Sequence, residues 1–268
     1  MNNHPIGVFD SGVGGLSVWQ EIVKVLPQES IVYLADNAHC PYGPRPEAEI
    51  IALCEKNVDF LLSHHCKLIV VACNTATAAA IKALRSKYDI PFVGMEPAIK
   101  PAALHSKTGK VGVLATQGTL NGKLFKTTSN KYARHLEVQV QIGHGLVEVV
   151  EAGKATSEEA ESLLRKYLES MLENGVDQIV LGCTHYPFLL PMIRKITGTM
   201  VNIVDPAGAV ARQAQRILAE KQLQSPDEQA PFYHFFATGD TTVLKSMVVQ
   251  IMPSLQPHAF DIISGAQG

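Results

Sequence analysis

Short, almost wholly apolar runs punctuate the chain at Ile6 to Phe9, Ile31 to Ala35, Ile69 to Ala72, Ile90 to Gly94, Val111 to Leu114 and Ile179 to Leu181. Runs of this length, rich in β-branched residues and bounded by turn residues, read as buried strands. The stretches between them have helical spacing instead. Leu16 to Leu26, Ala76 to Leu84 and Val210 to Leu223 read as helices, and Pro46 to His65 carries Ile50, Leu53, Cys54, Val58, Leu61 and Leu62 on one face. Strands alternating with helices predict an α/β fold with mainly parallel sheets. A weaker strand is expected at His234 to Ala237.

The pattern occurs twice. Gly7-Val8-Phe9-Asp10-Ser11 is matched by Gly112-Val113-Leu114-Ala115-Thr116, Ala72-Cys73-Asn74-Thr75 by Gly182-Cys183-Thr184-His185, and Glu96-Pro97-Ala98 by Asp205-Pro206-Ala207. Three strand ends recurring in one order at nearly constant spacing indicate an internal duplication. The expectation is two similar, pseudo-twofold-related α/β domains with a site in the cleft between them. Residues 1–96 and 207–268 would form the first domain, and residues 97–206 the second. A single (β/α)₈ barrel of two half-barrels is the competing architecture.

Composition narrows the function classes. With 23 Lys and Arg against 25 Asp and Glu, and the basic residues scattered, there is no patch for a phosphate backbone, so no nucleic-acid partner is expected. No apolar run is long enough to span a bilayer, and the first strand begins too early for a secretory signal before it. Five cysteines without a C-x-x-C pair argue against a disulfide framework or zinc ribbon and fit a reducing cytoplasm.

Candidate chemistry gathers at strand ends. Asp10-Ser11-Gly12-Val13-Gly14-Gly15 is a tight turn whose amides are expected to be free for an anion at a helix start. A dinucleotide reading, with Asp36 as the ribose acid, is disfavoured because Ser17 stands where the third glycine is wanted and Asp10 would face the pyrophosphate. Cys73 and Cys183 occupy equivalent points of the repeat and are each followed by hydrogen-bonding residues, which a dry core would not select. A helix start at each is expected to favour thiolate. His185, two residues after Cys183, suits an acid–base or orienting role. Cys40, Cys54 and Cys66 read as ordinary core or loop residues, Cys40 the least securely because the Cys40-Pro41-Tyr42-Gly43 loop can face the site. His64-His65-Cys66 is a weak metal signal, since adjacent positions do not converge on one ion, and no metal set or cofactor motif stands out. Glu158, Glu159 and Glu161 form the acidic first turn of a helix capped by Ser157. Spacing alone does not say whether Glu148 or Glu151 faces the cleft.

Two thiols facing one cleft from opposite sides suit inversion at carbon. One thiolate removes a proton from one face while the other, as a thiol, delivers one to the opposite face. A cysteine hydrolase would leave the second cysteine unexplained, and a nucleotide-binding module would leave both structural.

Taken together, Asp10-Ser11-Gly12-Val13-Gly14-Gly15, Cys40-Pro41-Tyr42-Gly43, Ala72-Cys73-Asn74-Thr75-Ala76-Thr77 and Gly182-Cys183-Thr184-His185-Tyr186-Pro187 resemble the glutamate racemases of the aspartate/glutamate racemase superfamily, from Ile6 to about Ala207. The resemblance implies a cofactor-independent, cytoplasmic and homodimeric enzyme that interconverts L- and D-glutamate for peptidoglycan synthesis. It implies Cys73 as the base toward D-glutamate and Cys183 toward L-glutamate, with Asp10 and His185 assisting. Ser11, Tyr42, Gly43, Asn74, Thr75 and Thr184 would hold the substrate's carboxylates and amino group, with Thr116 and Thr119 as further candidates. The family's cleft glutamate corresponds to Glu151, although Glu148 stands where the family pattern has proline.

Overall fold

The computed structural model describes residues 3–226 and 230–254. Its strands form two separate parallel sheets rather than a closed barrel. The first contains β1 (Ile6–Asp10), β2 (Ile31–Ala35), β3 (Leu68–Val71), β4 (Phe92–Gly94) and, from the end of the chain, β9 (Tyr233–Ala237), in the order β4-β3-β1-β2-β9. The second contains β5 (Lys110–Ala115), β6 (Glu137–Ile142), β7 (Gln178–Gly182) and β8 (Asn202–Val204), in the order β6-β5-β7-β8. Equating β1 with β5, β2 with β6, β3 with β7 and β4 with β8 superimposes the two strand orders. This is the repeat visible in the sequence.

The central strands are buried on both faces, which is why they read as unbroken apolar runs rather than alternating ones. The expected long helix runs Glu47–Ser63 and packs Cys54, Val58 and Leu61 against one face of the first sheet together with the helix Asn74–Lys87. The strand expected from Ile90 begins only at Phe92, because Pro91 cannot donate to the ladder.

Beyond the helix Ala207–Glu220 the chain returns to the first sheet, where β9 pairs with β2 from Tyr233↔Ile31 to Ala237↔Ala35. Trp19, fully buried, fixes that strand by edge-on contact with Phe235 at 5.1 Å between ring centres. The buried Lys67–Glu29 pair (2.7 Å) anchors the approach, with both Glu29 oxygens accepting hydrogen bonds from Ser225. The final stretch expected to complete this unit, residues 255–268, lies outside the described residues. Among the described residues no helix is long and apolar enough to cross a membrane.

Candidate active site

The carboxyl ends of β1, β3, β5 and β7 converge on a small cavity of about 20 Å³, the position at which open α/β sheets bind ligands. Ser11, Tyr42, Gly43, Cys73, Asn74, Thr75, Thr116, Cys183, Thr184 and His185, all singled out in the sequence, line it, and Pro41 and Val147 complete the wall. One thiol comes from each sheet: Cys73 follows β3 and Cys183 follows β7.

Cys73 caps the helix Asn74–Lys87. Its Sγ accepts the Ala76 N–H at 3.5 Å and lies 3.7 Å from Ser11 Oγ. The helix start does favour thiolate, as expected, through the Ala76 N–H, but other effects outweigh it. Complete burial pushes the Cys73 thiol well above its ordinary pKa and the nearby Asp10 carboxylate pushes it further, outweighing the Ala76 hydrogen bond. Cys183, unlike Cys73, is not a helix cap, since a 3₁₀ turn, Tyr186–Leu189, intervenes and the helix begins at Leu190.

Asp10, at the end of β1, is fully buried. Its Oδ2 accepts the Gly15 N–H at 2.8 Å and its Oδ1 lies 3.5 Å from Thr184 Oγ1. Burial raises its pKa to about 6 in spite of the opposing pull of His185. The glycine turn is therefore not an open anion cradle, as its pattern led us to expect. The Gly15 amide is taken by Asp10 and the Val13 amide by Glu151 Oε1 at 2.7 Å. The turn's glycines serve close approach instead. A Cβ on Gly12 would lie 1.9 Å from Glu151 Oε1, and one on Gly14 would lie 2.3 Å from His185 Nδ1. Tyr33 holds the turn from below, its hydroxyl donating to the Gly12 carbonyl at 2.8 Å.

His185 connects the second sheet to this turn. Its Nδ1 is 3.6 Å from Cys183 Sγ and its Nε2 is 2.5 Å from Glu151 Oε1. Burial by itself would lower the imidazole's pKa, but hydrogen bonds with Cys183, Cys40 and Glu151 prevail and hold it well above the usual histidine value. Glu151, at the end of the helix Leu146–Glu151, is thus the glutamate that reaches the site, whereas Glu148 is exposed.

Among the described residues, both amide atoms of buried Asn74 lack a hydrogen-bond partner. An amide left so inside a protein costs free energy unless a ligand answers it. On the far wall, Thr75 Oγ1, Thr116 Oγ1 and Thr119 Oγ1 are linked at 2.9 Å each, and Thr119 donates to the Gly182 carbonyl at 3.2 Å. Tyr42 contributes to the lining, but its hydroxyl is engaged behind the cavity by Asp36 Oδ2 and, at 3.1 Å, by Asn57 Nδ2. Asp36 and Asn57 had no signal of this role in the sequence. Cys40 also lies closer to the chemistry than a loop cysteine need, beside His185 and Glu151.

The chain is similar to known proteins over most of its length. The pattern described as Asp/Glu/Hydantoin racemase matches residues 6–214. A glutamate racemase of Herpetosiphon aurantiacus is 48% identical over 240 residues, covering 90% of this chain and 94% of that one. The crystal structure of a glutamate racemase isoform from Bacillus anthracis superimposes with a TM-score of 0.86 at 34% identity, covering 98% of both chains. That of the Francisella tularensis glutamate racemase in complex with D-glutamate gives 0.83 at 29% identity, again over 98% of both. Fold, paired thiols and relatives together define an isomerase, an amino acid racemase. Within that class the chain belongs to the Asp/Glu/Hydantoin racemase family.

Proposed function

We propose that the chain racemises glutamate by proton transfer between Cys73 and Cys183. In one direction Cys183, as thiolate, takes the α-proton of L-glutamate while Cys73, as thiol, gives a proton to the opposite face. In the other direction the roles exchange. The two thiols complete the transfers between them, so this reading calls for no cofactor. The single observation that carries it is a buried cavity lined by one thiol from each sheet and by the unpartnered Asn74 amide. That amide offers both a donor for carboxylate and an acceptor for ammonium, which are the two ends of an amino acid.

The charges around the thiols support the same reading. His185 is held as imidazolium at neutral pH with Nδ1 3.6 Å from Cys183 Sγ, so a thiolate there has a cation for a neighbour. Cys73 has the Asp10 carboxyl beside it and rests as a thiol. The ammonium of a bound amino acid is the counter-charge that side lacks. An α-proton next to a carboxylate is far less acidic than a thiol, so positioning and this electrostatic arrangement must supply the difference. Ser11, Gly43, Asn74, Thr75 and Thr184 hold the substrate in this reading, together with the ring side of Tyr42, and Glu151 fixes His185. The D-glutamate in the Francisella structure and the name shared by the relatives favour glutamate. Further parts of the proposal are a supply of D-glutamate to peptidoglycan in the cytoplasm, a homodimer, and domains dividing near residues 96 and 207.

Deuterium incorporation at the α-carbon of D- and L-glutamate in D₂O tests the chemistry, for wild type, Cys73→Ser and Cys183→Ser. Interconversion with exchange in the wild type, crippled in either variant, is expected. Exchange that survives both substitutions would refute the two-thiol mechanism, and activity confined to aspartate would refute the substrate.

A further inference from the structure

We propose that Cys40, Glu151 and His185 form a binding site for a soft divalent cation of the zinc type, and that the occupied site restrains the enzyme. One Sγ, one carboxylate oxygen and one imidazole nitrogen from these residues all lie within 4.8 Å of one another. They come from three separate parts of the chain: the loop after the 3₁₀ turn Asn37–His39, the end of the helix Leu146–Glu151, and the segment after β7. His185 is buried, whereas Cys40 and Glu151 are half-buried and open the group toward solvent.

The donor set selects the metal. Thiolate, imidazole and carboxylate together suit zinc and not magnesium or calcium, which want oxygen alone. Three protein ligands also leave the fourth tetrahedral position for water, as in accessible zinc sites. Bond lengths of about 2.0 to 2.3 Å place tetrahedral donors roughly 3.3 to 3.8 Å apart, so a shift of about 1 Å gathers these three atoms. Glu151 and His185, now 2.5 Å apart across a hydrogen bond, move apart as the cation enters. The cation takes the place of the proton between them, and the Cys40 thiol gives up its proton as the sulfur–metal bond forms. Both protons leave to solvent.

A metal on His185 fixes the imidazole that stands 3.6 Å from Cys183 Sγ and draws Glu151 from the Val13 amide. Turnover therefore falls while the cation is bound and returns on chelation. This consequence rests on the racemase reading, whereas the binding site does not.

The test uses the full chain with zinc alone, by calorimetry and by competition with a chromophoric chelator, for wild type, Cys40→Ser and Cys40→Ala. Cobalt provides a second readout through its thiolate-to-metal absorption. One zinc per chain is expected in the wild type, weakened about tenfold or more in both Cys40 variants, with loss of the cobalt band and a matching rise in the zinc concentration that halves turnover. Cys73→Ser should keep the cobalt band. Unchanged zinc affinity without Cys40 would overturn the proposal, assigning any zinc effect to Cys73 and Cys183. Failure to bind micromolar zinc would overturn it as well. Cys40-dependent binding in a chain that does not racemise glutamate would leave the site standing and remove the activity.

Discussion

Asp10→Asn tests whether the site is held at the expense of stability. Burial raises the Asp10 pKa from 3.8 to about 6, a shift of about two units that corresponds to roughly 3 kcal/mol. Below about pH 3 the carboxyl is protonated in both the folded and unfolded chain, and asparagine resembles it closely. Above that, the unfolded chain ionises Asp10 before the folded chain does, so the unfolded state binds fewer protons and the wild type loses stability as pH rises toward 6. Asparagine carries no such penalty, and its oxygen can still accept the Gly15 N–H that Asp10 accepts at 2.8 Å. The variant should therefore match the wild type near pH 3, gain about half of the difference by pH 5, and be more stable by about 3 kcal/mol at pH 7 to 8. Urea unfolding followed by the fluorescence of Trp19, the single tryptophan, measures this directly. Racemisation should fall in the same variant, most in the direction that starts with proton removal by Cys73. A stability difference that is flat between pH 4 and 8, or a wild type more stable than the variant at pH 8, would refute the assignment of Asp10 as a carboxylate held at a cost beside Cys73.

Two further substitutions separate roles that the geometry distinguishes. Glu151→Gln removes one of the interactions that raise the His185 pKa, so the imidazole should titrate at lower pH by NMR, and a value that does not move would show that Glu151 does not set its charge. Tyr42→Phe leaves Asp36 and Asn57 each short of a buried partner and should cost about 1 to 3 kcal/mol in urea unfolding with little change in KM. A large rise in KM with unchanged stability would instead mean that the hydroxyl binds substrate.

What could be read from the sequence was set by local chemistry. Buried parallel strands must be apolar on both faces, so Ile31 to Ala35 and Ile179 to Leu181 announce themselves, and the paired cysteines at equivalent strand ends mark the cleft. Contacts between distant segments were not legible. Nothing near Gly12 says that its missing side chain makes room for a carboxylate from residue 151, so the turn looked like an anion cradle when the protein fills it itself. The preference of Cys73 for thiol depends on burial and on Asp10, neither of which appears in the cap pattern Cys73-Asn74-Thr75. For Cys40 the sequence showed only that its loop can face the site, because its neighbours His185 and Glu151 lie more than a hundred residues away.

The row of threonine hydroxyls on the far wall has a direction, and it is fixed at one end. A carbonyl can only accept, so Thr119 gives its proton to Gly182 and must accept from Thr116, which in turn must accept from Thr75. With its own proton committed, Thr75 has only lone pairs left to offer the cavity. In this arrangement that hydroxyl answers an ammonium and repels a carboxylate, and reversing it would require breaking the bond to Gly182. A peptide carbonyl outside the cavity lining thus sets the polarity that this hydroxyl presents to the cavity.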